Sequence, residues 1–130
     1  MQFNHVANRV ADPHFETIVE LFRDQLGFVE LRRTERAIWL RQRGANIDLQ
    51  FSRVAASRDD PERARSQVSF LSETPRQDLE KLAQWLGSKG LVATVGAYSD
   101  REFYLDAPKA LVDFVIEAMR PELADYPVDA

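Results

Sequence analysis

The 130-residue sequence predicts an α+β chain of two βαβββ modules, and three observations carry that prediction. The order of elements in the first half recurs in the second. Proline and glycine punctuation recurs with it: Pro13 and Pro75 stand 62 positions apart, Gly27 and Gly90 stand 63 apart. The strand segments of both halves show the polar–apolar alternation of half-buried strands.

Taken in order, Gln2 to Val10 reads as a strand. Asp12-Pro13 then opens a helix, with Asp12 as the cap and Pro13 at the first helical position, where no amide donor is needed. Phe15, Ile18, Val19, Phe22 and Leu26 follow at helical spacing, and Gly27 supplies the left-handed stop. Three strands follow over Val29–Thr34, Ala37–Arg41 and Asn46–Ser52. The second half repeats the programme. A strand at Ser66–Leu71 precedes Thr74-Pro75, the stripe Leu79, Leu82, Ala83 and Leu86, and the glycines Gly87 and Gly90. Strands at Leu91–Ala97, Glu102–Leu105 and Leu111–Ala118 complete the module.

These boundaries give one domain, with module one over about residues 1–53, a charged, solvated linker over 54–65, module two over 66–119 and a loose tail over 120–130. A βαβββ unit has a single helix to cover its sheet, so two such units gain most by bringing their sheets around a shared concavity. The chain is long enough for one core and too short for two independent domains.

Composition removes several function classes. With 21 acidic against 17 basic residues and a net charge of −4, there is no electrostatic reason to expect a nucleic acid or an anionic membrane as partner. The absence of cysteine excludes a disulfide framework, an iron–sulfur cluster and a thiol nucleophile. No apolar run approaches the roughly 20 residues that span a bilayer, and the start lacks a basic-then-apolar leader. A cytoplasmic protein is the resulting expectation. Glycine-rich phosphate loops, a nucleophile elbow and Cys/His clusters are absent from the sequence.

Alternation then sorts the strand side chains. In Asn46 to Phe51 the odd positions are apolar and the even ones polar, so Asn46, Asp48 and Gln50 face away from the helix. In Leu111 to Glu117, assigning Val112, Phe114 and Ile116 to the core leaves Asp113 and Glu117 on the other face. Asp48 and Asp113, 65 apart, thus hold matching places, as do His5 and Gln67, 62 apart. An imidazole, an amide and two carboxylates from four strands form a donor set suited to Zn, Ni, Mn, Fe or Co. The alternative for each is an ordinary hydrogen-bonded or solvent-facing strand residue.

At this point the residues resemble the vicinal oxygen chelate superfamily, which includes glyoxalases, bleomycin-resistance proteins and extradiol dioxygenases. Phe22-Arg23-Asp24-Gln25-Leu26-Gly27-Phe28 is similar to its aromatic-x-x-x-Leu-Gly-Phe helix ending. Ile47-Asp48-Leu49 sits where glyoxalases carry a carboxylate, and Asp106 to Asp113 resembles the Asp-Pro-x-Gly-x-x-x-Glu segment ending in the last ligand. The resemblance covers essentially the whole chain. It implies a glyoxalase/bleomycin-resistance-type sheet cavity, a homodimer, and His5, Asp48, Gln67 and Asp113 as metal ligands. Three departures stand out. Both carboxylates are Asp where the family has Glu, Gln67 replaces a common His, and the last motif lacks its glycine.

Two functions from different classes follow. In a metal-dependent lyase, isomerase or dioxygenase, Asp48 or Asp113 would act as the base that removes a substrate proton. In a metal-free, antibiotic-like small-molecule binding and resistance protein of the bleomycin-resistance type, Trp39 would stack on a flat ligand and an acidic cavity would attract a cationic one. Arg9 on the His5 face suits a substrate carboxylate, and Gln50 and Phe103 complete the candidate ligand contacts. An interaction module without a working cavity is the third class.

Overall fold

A computed structural model describes residues 1–56 and 60–125 and groups them into two compact units. Unit one comprises Met1–Asp60 with Pro108–Asp113, and unit two comprises Pro61–Ala107 with Phe114–Ala130.

In unit one, β1 (His5–Ala11), β2 (Phe28–Arg33), β3 (Ala37–Gln42) and β4 (Asp48–Val54) form a sheet of order β1-β4-β3-β2. The β1–β4 pair is parallel and the other two are antiparallel. The helical stretch divides into a 3-10 turn at Asp12–His14, α1 (Phe15–Glu20) and a π turn at Leu21–Gln25. Gly27, at φ 74°, supplies the left-handed residue after it. Asp12 does not cap this stretch. Its carboxylate instead accepts a hydrogen bond from Arg53 Nη1 at 2.7 Å, a charge-assisted contact stronger than a cap to a neutral amide.

The core of unit one follows from the helical stripe. Phe15, Ile18, Val19, Leu21 and Phe22 are fully or almost fully buried, as are Ile38, Leu40 and Phe51 on the covered sheet face. Phe22 meets Phe28 and Phe51 edge-on, with centroids 5.2 and 4.9 Å apart, the geometry that aromatic quadrupoles favour.

Unit two repeats the order, with β5 (Gln67–Leu71), α2 (Pro75–Ser88), β6 (Thr94–Ala97), β7 (Glu102–Asp106) and β8 (Val115–Met119) in a sheet of order β5-β8-β7-β6. Pro75 opens α2. Thr74 makes no capping bond through its side chain, and its hydroxyl donates to Asp78 Oδ1 at 3.2 Å. Gly90, at φ 83°, ends the helical stretch, whereas Gly87 lies inside it. Leu79, Leu82, Leu86, Phe103, Leu105 and Ile116 are buried in this unit.

Two further sequence expectations change. The segment Leu111–Ala118 is not one strand. Residues 108–113 belong to unit one, where the Ala11 amide donates to the Ala110 carbonyl, the Val112 amide donates to the Arg9 carbonyl, and Val10 bridges Leu111. These bonds occupy the outer edge of β1, which would otherwise expose unpaired backbone groups. The linker is not uniformly solvated. Pro61–Arg65 forms a 3-10 helix with Arg63 buried, while residues 57–59 of the linker lie outside the described residues. Of the tail, Pro121–Ala124 makes a short 3-10 turn, and 126–130 lie outside the described residues. Among the described residues no helix is long and apolar enough to cross a membrane.

One glycine in unit two has a steric reason. A Cβ on Gly96 would sit 2.4 Å from the ring of Tyr104, which stacks against Tyr98 with centroids 4.8 Å apart. Gly96→Ala is expected to cost about 1–3 kcal/mol, the usual range for overpacking. Chemical denaturation checks this, and the cost should shrink in a Tyr104→Ala background if the ring is the obstacle.

Candidate functional site

The uncovered face of the unit-one sheet is built by register. His5, Ala7 and Arg9 of β1 lie opposite Asp48, Gln50 and Ser52 of β4, and Trp39 of β3 lies opposite Gln50. Asn4, His5, Leu31, Arg32, Trp39 and Asp48 line a concavity of ≈ 410 Å³, within the range of about 300–1,000 Å³ usual for small-molecule sites. Three residues predicted for the site, His5, Trp39 and Asp48, therefore share one hollow.

Their chemistry is specific. Asp48 is 6% exposed, and its Oδ1 accepts a hydrogen bond from Arg41 Nε at 2.6 Å, which compensates the buried charge. His5 Nδ1 lies 2.8 Å from the side-chain oxygen of Asn4. Because that oxygen can only accept, the ring N–H donates in this contact. Gln50 donates to Ser52 Oγ at 3.2 Å.

Arg32 enters the site through an irregularity that alternation does not reveal. In the β2–β3 pairing Glu30 opposes Leu40 but Arg32 opposes Trp39, leaving Leu31 as an extra residue. Regular pleating would have set Arg32 against Ile38, on the helix-covered face. The bulge inverts the alternation and brings the Arg32 guanidinium to 4.9 Å from the Trp39 ring centroid, within cation–π range. Glu30 and Arg33 then share the other face, where they pair at 3.0 Å and Arg33 reaches Glu16 at 2.5 Å.

The remaining predicted residues are not among those that line this hollow. Asp113, in unit one, receives the Arg9 backbone amide at 3.1 Å and Arg9 Nε at 3.0 Å, so Arg9 and Asp113 satisfy each other. Gln67, in unit two, donates its amide to the Ala64 carbonyl at 3.1 Å and to the Tyr98 hydroxyl at 3.3 Å. Tyr98 in turn donates to the Ala64 carbonyl, and desolvation raises its phenol above the ordinary value. Phe103 is buried on the face that packs on α2, with Arg76 of that helix 5.7 Å from its ring. The opposite face of β7 carries Tyr104.

Strand pairing also changes which residues match between modules. His5 opposes Asp48 in β1–β4, whereas Gln67 opposes Val115 in β5–β8. Val115, not Asp113, holds the second-module position that corresponds to Asp48. The carboxylate on that strand is Glu117, buried and accepting from Ser69 Oγ at 2.7 Å. Within unit one the donor set as arranged does not fit a divalent ion, since Asp48 and Asp113 each face a guanidinium group, of Arg41 and of Arg9. Among the described residues no group of three or more His, Cys, Asp or Glu side chains is placed to hold a metal.

No family model and no curated protein matches the sequence. Solved structures do match. A possible glyoxalase from Bacillus cereus superposes with a TM-score of 0.60 at 21% identity, covering 92% of this chain and 98% of its own. A lactoylglutathione lyase from Agrobacterium tumefaciens gives 0.56 at 10% identity over 96% and 97%. A bleomycin resistance determinant encoded on the transposon Tn5 gives 0.50 at 15% identity over 90% and 97%. Likeness at these identities speaks for the fold, and a shared fold serves many chemistries.

Proposed function

We propose that this chain, which has the glyoxalase/bleomycin-resistance fold of the vicinal oxygen chelate superfamily, is a binding protein for a flat small molecule and works without a resident metal. The observation that carries the reading is the Arg41–Asp48 pair. It removes from the metal set the one carboxylate that lines the unit-one concavity and leaves Trp39 as the main apolar surface there. Asp113 is likewise occupied by Arg9. An indole face contributes about 0.5–1.5 kcal/mol to stacking beyond the area it buries, enough to orient a planar ligand.

The second reading, a metal-dependent lyase or isomerase, is favoured by one observation. His5 and Asp48 are direct register partners in the same hollow, and two such donors are the start of a metal site. Homodimer assembly belongs to this proposal too and rests on the family resemblance.

The two readings separate by experiment. Protein purified without chelator is expected to contain substoichiometric Zn, Ni, Mn, Fe and Co by elemental analysis. Arg41→Ala frees the Asp48 carboxylate and is expected to raise affinity for added Zn or Ni in calorimetry. Stoichiometric metal in the wild type, lost in His5→Ala, would establish the metal-dependent reading instead.

A further inference from the structure

We infer that the ligand of the unit-one concavity is an aryl carboxylate whose anionic group is held by Arg32, an inference that rests on the proposal that this concavity is the ligand site.

The charge inventory of the hollow points to an anion, against the acidic balance of the chain as a whole. Asp48 is the only carboxylate among the residues that line it, and Arg41 neutralises it. Arg32 lines the same hollow and makes no ion pair among the described residues, where Arg9, Arg33, Arg41 and Arg53 of this unit each pair with an acid. The His5 imidazole adds no negative charge in either protonation state. The local field is therefore set by one uncompensated guanidinium, and a cationic ligand would meet repulsion.

The geometry adds the aromatic requirement. The bulge at Leu31 is what brings Arg32 to the Trp39 face, and bulges recur beside functional sites because they re-aim a side chain. Stacking on the indole limits the rotamers of Arg32 before any ligand arrives. Less freedom is then lost when its fork of N–H donors takes a carboxylate. An aryl ring bearing that carboxylate can lie along Trp39 and Leu31 while its charge meets Arg32.

The test compares naphthoate, naphthylmethanol and naphthylmethylammonium by isothermal titration calorimetry on the full chain. Naphthoate is expected to bind tightest. Arg32→Gln should weaken naphthoate by at least about tenfold, the scale of one charge-assisted contact, and leave naphthylmethanol within about threefold. Arg32→Lys, which keeps the charge without the fork, should fall between. Trp39→Ala should weaken both the acid and the alcohol. Arg32 is exposed, so the variants should keep the wild-type circular dichroism spectrum. An unchanged naphthoate affinity in Arg32→Gln, or tighter binding of the ammonium than of the carboxylate, overturns the assignment of Arg32 while leaving the ligand site intact. Failure of all three probes to bind overturns the ligand site itself, and this inference with it.

Discussion

Phe22→Ala is expected to lower the stability of the protein by about 3–5 kcal/mol, a large part of the roughly 5–15 kcal/mol that a domain usually has. The side chain is fully buried and joins three structural elements, since its ring meets Phe28 at the start of β2 and Phe51 in β4 edge-on. Truncation removes the transfer free energy of the ring, leaves a cavity that the sheet cannot close, and loses two aromatic contacts. The effect should extend to the site. Phe51 alternates with Gln50 and Ser52 on β4, so a sheet that loosens on its covered face also loosens the register holding His5 opposite Asp48. Urea denaturation followed by circular dichroism measures the loss. Phe22→Leu, which keeps most of the volume, should cost substantially less. A drop below about 1 kcal/mol for the alanine variant would mean that this aromatic cluster is not the centre of the core.

The repeat was legible because it is written in punctuation and period. Gly27 and Gly90 adopt positive φ, which L side chains rarely do, so their spacing carried backbone information directly. Alternation placed Asp48 and Trp39 correctly on the uncovered face, because β3 and β4 pair without irregularity over Ala37–Leu40. It failed where pairing is irregular or where a strand is not continuous. Arg32 changed face through a one-residue bulge, which leaves no compositional mark in Glu30-Leu31-Arg32. Asp113 matches Asp48 only if Leu111–Ala118 is a single strand, and the backbone bonds of Ala110 and Val112 to β1 break that premise. The ion pairs of Asp48 and Asp113 were invisible for another reason. Sequence pattern assigns a carboxylate to a face but says nothing of which arginine on a neighbouring strand will reach it.

Arg63→Met is expected to be the most damaging substitution in unit two outside its apolar core, at about 2–4 kcal/mol. Breaking one side of a buried ion pair usually costs about 3–5 kcal/mol, and the figure is lower here because the Asp106 side chain keeps 23% of its exposure. The Arg63 side chain, only 5% exposed, gives two parallel hydrogen bonds to Asp106 at 2.8 and 3.0 Å. This fork ties the 3-10 turn to the end of β7. Methionine preserves much of the apolar packing but leaves the carboxylate without its guanidinium partner. The next residue, Ala64, presents the carbonyl that receives both the Gln67 amide and the Tyr98 hydroxyl, so release of the turn should disturb the whole polar corner of this sheet. A double-mutant cycle isolates the pair. Asp106→Asn alone should cost less than Arg63→Met, and the combined variant should be more stable than the sum of the two losses predicts, by at least about 1 kcal/mol. Alternating charges around Pro61 suggested a solvated connection, and burial of one arginine makes it a fastening. Arg63→Met within about 0.5 kcal/mol of wild type, the range of ordinary surface substitutions, would return this stretch to the role its composition implies.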